Sequence, residues 1–81
     1  MIILSSHAAE RMAEHGIQEE WVNAAVAQPD WTERDPRPGR TRYFKAIAER
    51  GNRVLRVVVE GHIVVTAHFD RAARSRRPSH V

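Results

Sequence analysis

Several side chains in this sequence can transfer protons or bind anions, and they are histidines, arginines, a tyrosine and a threonine. Histidine suits acid and base roles because its pKa ordinarily lies near neutrality, and arginine suits the stabilisation of negative charge. Such residues can cleave RNA without a metal: a base deprotonates the 2′-hydroxyl, which attacks phosphorus, and an acid protonates the leaving 5′-oxygen. The candidates for this chemistry are His7, Arg11, Arg42, Tyr43, Arg56, Thr66 and His68.

These candidates divide into two roles. The predicted catalytic residues, which would transfer protons or line the reacting groups, are His7, Arg11, Thr66 and His68. The predicted nucleic-acid-binding residues, which would bind phosphate or stack on an exposed base, are Arg42, Tyr43 and Arg56. Each candidate also has a structural alternative; Arg11, for example, is spaced to pair with Glu14 on a helix surface.

The histidines do not form a metal-binding motif. His7 and His15 are eight residues apart, roughly two helical turns, which is too far for both to bind one ion. The chain has no P-loop, no glycine-rich dinucleotide turn and no HExxH motif. It also has no cysteine, which excludes disulfide scaffolds, cysteine-based zinc sites and a thiol nucleophile. We therefore expect no metal site and no cofactor.

The charge is distributed unevenly along the 81 residues. Residues 1–30 carry five acids and one base, whereas residues 31–81 carry twelve bases and five acids. Twelve of the thirteen bases are arginine, whose guanidinium group binds phosphate through two parallel hydrogen bonds. This asymmetry favours a polyanion, most simply RNA, as the partner.

The chain has no segment typical of membrane insertion or secretion. Its apolar runs are far shorter than the ~20 residues that span a bilayer. The N-terminus lacks the basic region and the apolar length of a signal peptide. We therefore expect a cytoplasmic protein with no membrane partner.

Apolar spacing predicts two helices followed by four strands. Ser5 or Ser6 can cap the first helix, Gly16 can end it, and Pro29 ends the second. The predicted helices cover residues 7–15 and 18–28, and the predicted strands cover 31–34, 41–48, 53–59 and 63–69. The connections between strands are too short for parallel crossovers. The sequence therefore predicts an α+β fold, with two N-terminal helices packed on a four-stranded antiparallel sheet.

Alternation along the last two strands predicts which side chains face the helices. The helix-facing set is Leu55, Val57, Val59, Ile63, Val65, Ala67 and Phe69. The opposite, open face would hold Val54, Arg56, Val58, Val64, Thr66 and His68. We expect one domain over residues 1–70, followed by a basic, disordered tail over residues 71–81.

The opening of the sequence resembles a known family. Residues 5–17, SSHAAERMAEHGI, are similar to the S-x-H-A-x-x-R-M-x-x-R-G-I opening of a family of small bacterial domains of unknown function. Later segments fit as well, and the resemblance covers about residues 4–70. The chain departs from the pattern at His15, where the family usually has arginine; if that arginine binds phosphate, His15 would do so only when protonated.

That family has been grouped with the ribonuclease fold of barnase, EndoU, colicins and RelE. The resemblance implies a helical part packed on a four-stranded antiparallel sheet, and either a toxin of a toxin–antitoxin pair or a related RNA-processing domain. It implies RNA as substrate and a cognate antitoxin protein as partner. His7 and Arg11 match the helix motif of the family, and Thr66 matches the threonine of its last strand. The resemblance therefore implies that these three are site residues.

Three functions remain open from the sequence. The first is a small metal-independent endoribonuclease of the toxin–antitoxin type. The second is a nonenzymatic module that binds RNA or DNA with the same residues. The third is a protein-interaction domain whose sheet pairs with an antitoxin or with a second copy to form a homodimer. Binding and cleavage require the same residue types, so the sequence does not separate the first two.

Overall fold

The structure is a computed structural model that describes residues 2–73. The chain forms a mixed α+β fold in which the helices precede most of the sheet. The elements are β1 (Ile3–Leu4), α1 (Ser6–His15), α2 (Glu19–Ala27), β2 (Trp31–Arg34), β3 (Arg40–Ile47), a short 3-10 helix (Ala48–Arg50), β4 (Arg53–Glu60) and β5 (Ile63–Phe69). The predicted α+β class and its two helices are confirmed.

The sheet has five strands in the order β1-β5-β4-β3-β2. Strands β2 to β5 form an antiparallel meander, as the short connections predict. The prediction of four antiparallel strands is wrong by one strand, because β1 adds to β5 in parallel through Ile3 and Leu4. Two residues are too few to show alternation, and their partners Ile63 and Val64 lie far along the chain.

Helix α1 begins and ends where its capping residues predict. The Ser5 hydroxyl accepts a hydrogen bond from the Ala8 N–H at 3.0 Å. Gly16 follows the helix with φ +64°, a conformation that glycine adopts without a steric penalty. The Ile17 N–H then donates to the Met12 carbonyl at 2.9 Å, and both side chains are buried. This Schellman ending turns the chain directly into α2.

The main core lies between the two helices and one face of the sheet. Helix α1 contributes Ala8 and Met12, and α2 contributes Trp21, Val22 and Ala25. The strand residues buried against them are Ile47, Leu55, Val57, Val59, Val64 and Ala67. Burial of these side chains is the main force that holds the helices on the sheet.

A β-bulge in β5 changes the predicted faces. Val58 pairs with Thr66, but the next residue, Val59, pairs with Val64, so Val65 is an extra residue in the ladder. As a result Val64 is fully buried in the helix-side core, while Ile63 is 43% exposed. The prediction that Ile63 and Val65 face the helices and Val64 does not is therefore wrong, because strict alternation fails at a bulge.

A second, smaller cluster covers one end of the opposite face. Phe44, Val54 and Ala73 are buried there, and Trp31 stacks on Phe44 with ring centroids 4.8 Å apart. The predicted tail begins at residue 71, yet residues 71–73 form a turn that buries Ala73. The rest of the predicted tail, residues 74–81, lies outside the described residues.

Candidate functional site

Helix α1 is fixed against β5 at the bulge. The Ser5 N–H donates to the Val64 carbonyl at 3.0 Å, and its hydroxyl donates to the Val65 carbonyl at 3.3 Å. The same hydroxyl caps the helix at Ala8, so one residue ties the first turn of α1 to the strand. Within the sheet, α1 packs mainly on β5. Helix α1 therefore begins beside Val64 and Val65, in the first half of β5.

An open cavity of about 500 Å³ lies between these two elements, and we call it the first cavity. Its lining residues are Ser5, His7, Arg11, Arg40, Val65, Thr66 and His68. They include all four predicted catalytic residues. His7 and Arg11 are one helical turn apart on α1. Thr66 and His68 are two residues apart on β5 and therefore lie on the same face of the sheet.

The first cavity is basic. Among the described residues that line it, two are arginines, two are histidines and none is acidic. Each arginine has one acidic neighbour outside the lining: Arg11 lies 3.7 Å from Glu14, and Arg40 Nε donates to Glu60 Oε1 at 2.7 Å. The Glu60 side chain is 55% exposed, so its pairing with Arg40 is open to water and to competing anions.

His68 is held by charged neighbours on the same face of the sheet. Arg56 is its cross-strand partner and contacts it at 2.7 Å between Nη2 and Nε2. A guanidinium can only donate, so Nε2 of His68 must accept and the imidazole proton must lie on Nδ1. Arg56 Nη1 also lies 3.5 Å from Asp70 Oδ2. The predicted placement of Arg56, Thr66 and His68 on one face is confirmed.

The surroundings of His68 favour its neutral form. Burial lowers the pKa of His68 most, because it removes the cationic form from water. The positive charge of Arg56 lowers this pKa further, and Arg11 and His15 act in the same direction. The carboxylate of Asp70 opposes them but does not reverse the shift. The net effect of these groups on the pKa of His68 therefore favours the neutral imidazole.

Two predicted binding residues lie elsewhere. Arg42 donates from Nε to Asp35 Oδ1 at 2.9 Å and does not line the first cavity. The pKa of Asp35 is lowered, first by the backbone N–H of Arg37 and then by Arg42. Tyr43 packs against the helix-side core, on the other side of the sheet. The structure therefore does not bring Arg42 and Tyr43 to the four predicted catalytic residues.

Arg40 is a site residue that the sequence analysis missed. It lies at the start of β3 and contributes to the first cavity across the face of the sheet. The predicted strand began one residue later, at Thr41, so the alternation of side chains between the two faces of the sheet did not include Arg40. Counting back from Phe44 by twos would place Arg42 and Arg40 on one face.

Residues 2–73 show neither a metal-binding cluster nor a membrane-spanning helix. No group of three histidine, aspartate or glutamate side chains in this part of the chain is placed to hold a metal ion. None of its helices is long and apolar enough to cross a membrane.

Comparison with known proteins gives a family and no relative of known function. No curated protein and no solved structure shows significant similarity to this chain. A family model does match, over residues 4–70, which is nearly all of the described fold. The chain therefore belongs to the family described as domain of unknown function (DUF4258).

Proposed function

We propose that the protein is a small, metal-independent endoribonuclease of the toxin–antitoxin type. The observation that carries this proposal is the first cavity, which gathers two histidines, two arginines and two hydroxyl groups without an acidic lining residue. A phosphodiester carries negative charge and gains more in the transition state, so arginines placed around it stabilise both states. The resemblance of the opening motif to a family grouped with toxin ribonucleases supports the toxin role.

The proposed role of each histidine depends on whether its ring nitrogens are already hydrogen-bonded. The His7 side chain is exposed beside the cavity, whereas Nε2 of His68 is occupied by Arg56. His7 therefore accepts the proton of the 2′-hydroxyl, and the 2′-oxygen attacks phosphorus. The bond to the 5′-oxygen breaks, and that oxygen takes a proton from water. The hydroxide that remains takes the proton from His7, which restores the neutral imidazole. The products are a 2′,3′-cyclic phosphate and a 5′-hydroxyl.

The other lining groups stabilise the reacting phosphate. Arg11 and Arg40 neutralise the non-bridging oxygens as charge builds on them. The Nδ1–H of His68 and the hydroxyl of Thr66 are available as donors to the same oxygens. His68 is thus a binding group rather than the base, which revises its predicted catalytic role within this proposal.

The test is cleavage of RNA by the purified protein in the presence of EDTA. His7→Ala should lower the cleavage rate by about 10²–10⁴-fold, the usual range for loss of a general base. His62→Ala is the matched control, since His62 is exposed in the turn between β4 and β5 and lines no part of the cavity. Equal rates for the two variants would show that His7 is not the base.

A second candidate function is RNA binding without cleavage, and the Arg56–His68 contact favours it. With Nε2 of His68 occupied, His7 is the only histidine among the described lining residues whose ring nitrogens are free to exchange a proton in one step. A binding module would retain RNA on a filter with an affinity that falls with salt, and would leave the RNA intact. A protein that neither cleaves RNA nor retains it on a filter would favour the third function, a protein-interaction domain.

A further inference from the structure

A second basic cavity adjoins the first. It has a volume of about 390 Å³ and lies between the end of α1 and the start of β4. Its lining residues are Arg11, His15, Arg50, Arg53, His68 and Phe69, and none of these described residues is acidic. Because Arg11 and His68 line both cavities, the two form one continuous groove along α1 and β5.

Arg50 and Arg53 line the second cavity but not the first, and aromatic rings hold them in place. The Arg53 guanidinium lies 4.7 Å from the centroid of Phe69, and that of Arg50 lies 5.3 Å from the same ring. Arg50 also lies 5.9 Å from the ring of Trp21, and its Nη1 donates to the Gly16 carbonyl at 3.3 Å. Stacking uses the faces of the guanidinium groups and leaves N–H donors at their edges.

A purely structural explanation does not account for both arginines. One cation would be enough to cover the ring of Phe69, and two like charges beside one ring repel each other. Neither Arg50 nor Arg53 has a carboxylate within ion-pairing distance among residues 2–73. An anion bound between them removes this repulsion, and arginine pairs with a planar, bidentate acceptor such as phosphate.

We propose that the second cavity binds the phosphate of a neighbouring nucleotide, so that the ligand is single-stranded RNA with at least two consecutive phosphates in the groove. This inference rests on the proposed function, because it takes the first cavity as the site of the first phosphate. The face of the Arg53 guanidinium that does not cover Phe69 can stack on an unpaired base.

The test measures the salt dependence of binding to a labelled, eight-nucleotide 2′-O-methyl RNA, which cannot be cleaved by attack of a 2′-hydroxyl. For single strands, log affinity falls with log salt by about 0.7 per phosphate contact. The double variant R50Q/R53Q removes one phosphate contact and should therefore reduce the slope by about 0.7. Between 50 and 200 mM salt, the wild type should lose about 2.6-fold more affinity than this variant.

The matched control is R34Q/R37Q, which removes the same charge from two exposed positions outside both cavities. It should keep the wild-type slope. R50K/R53K keeps the charge and should keep most of the slope as well. Should R50Q/R53Q fail to give a cooperative thermal transition, R53Q alone replaces it, since Arg53 is exposed, and the slope should again fall, by at most about 0.7.

The outcomes separate this inference from the proposed function. If the wild type binds the RNA and R50Q/R53Q has the slope of R34Q/R37Q, the second phosphate site is refuted while the first cavity stands. If the wild type does not bind at 50 mM salt, the proposed function itself fails. A dinucleotide with one phosphate adds an independent check: R50Q/R53Q should bind it as R34Q/R37Q does, and a selective loss would overturn the assignment of separate phosphates.

Discussion

Replacing Arg56 with methionine tests the charge arrangement around His68. Methionine keeps much of the length of the arginine side chain but removes its charge and its donors. In the wild type, Arg56 donates to Nε2 of His68 and lies 3.5 Å from the carboxylate of Asp70. The substitution therefore leaves Nε2 of His68 without this donor. Of the three residues Arg56, His68 and Asp70, only Asp70 then keeps a permanent charge.

The expected loss of stability follows from burial. The side chains of Arg56 and Asp70 are only 23% and 12% exposed, so water replaces the lost contacts poorly. An unsatisfied buried acceptor costs about 1–3 kcal/mol. Asp70 has further interactions, so the larger penalty for a stranded buried charge does not apply in full. We expect the free energy of unfolding to fall by about 1–3 kcal/mol, which lowers the melting temperature by about 4–8 °C per kcal/mol.

The same change should raise the pKa of His68. The positive charge of Arg56 lowers this pKa and the carboxylate of Asp70 raises it, so removing Arg56 shifts the balance toward the cationic form. The assay is a pH titration of the imidazole ¹⁵N shifts by NMR, with His68→Gln to assign the signal and Arg34→Met as the control. These shifts also report the tautomer. A pKa that stays constant or falls in Arg56→Met, or a neutral wild-type imidazole with its proton on Nε2, would refute the reasoning.

Three further predictions concern the helix cap, the groove and pH. Ser5→Ala should lower the free energy of unfolding in urea by about 1 kcal/mol, because it removes the N-cap, whereas Ser6→Ala should have little effect. His15→Arg should steepen the salt dependence of RNA binding by about 0.7, because it adds a permanent cation to the second cavity. A fall in pH below the ordinary pKa of histidine should destabilise the wild type more than His68→Gln. In this pH range His68 of the unfolded chain binds a proton, whereas His68 of the folded chain, with its lowered pKa, stays neutral.

For each of these three predictions, one outcome would contradict it. Equal urea midpoints for Ser5→Ala and Ser6→Ala would show that the cap contributes nothing measurable. An unchanged slope in His15→Arg would place residue 15 outside the RNA groove. A stability that falls with acid just as steeply in His68→Gln would show that this part of the pH dependence comes from other groups.

Local patterns in the sequence predicted the elements well. The serine cap, predicted at Ser5 or Ser6, the Gly16 ending and the presence of strands β2 to β5 each depend on neighbouring residues, and the structure confirms them. Strand β1 could not be predicted, because a two-residue strand has no period and is defined only by its distant parallel partner. The bulge at Val65 could not be predicted either, since a single extra residue leaves no local mark in an apolar run.

The site was predictable only where its residues share an element. Thr66 and His68 follow from alternation on β5, and His7 and Arg11 follow from helical spacing on α1. Their meeting in one cavity depends on how α1 lies against β5, which no periodicity fixes. The stacking of Arg50 and Arg53 on Phe69 joins a hairpin to the end of another strand, and no spacing rule connects them.

The hydrogen bonds of Ser5 at the bulge have a consequence for local opening. Thr66 and His68 lie on β5, the last strand of the meander, which pairs with β4. The amides of the central strands β3 and β4 should exchange with solvent only on global unfolding. Helix α1 carries His7 and is attached near the bulge by the bonds of one residue, so it can open as a separate cooperative unit. A ligand that touches both sides of the cavity stabilises only the closed arrangement. Slower amide exchange in α1, with unchanged exchange in the central strands, would therefore be the signature of a bound ligand.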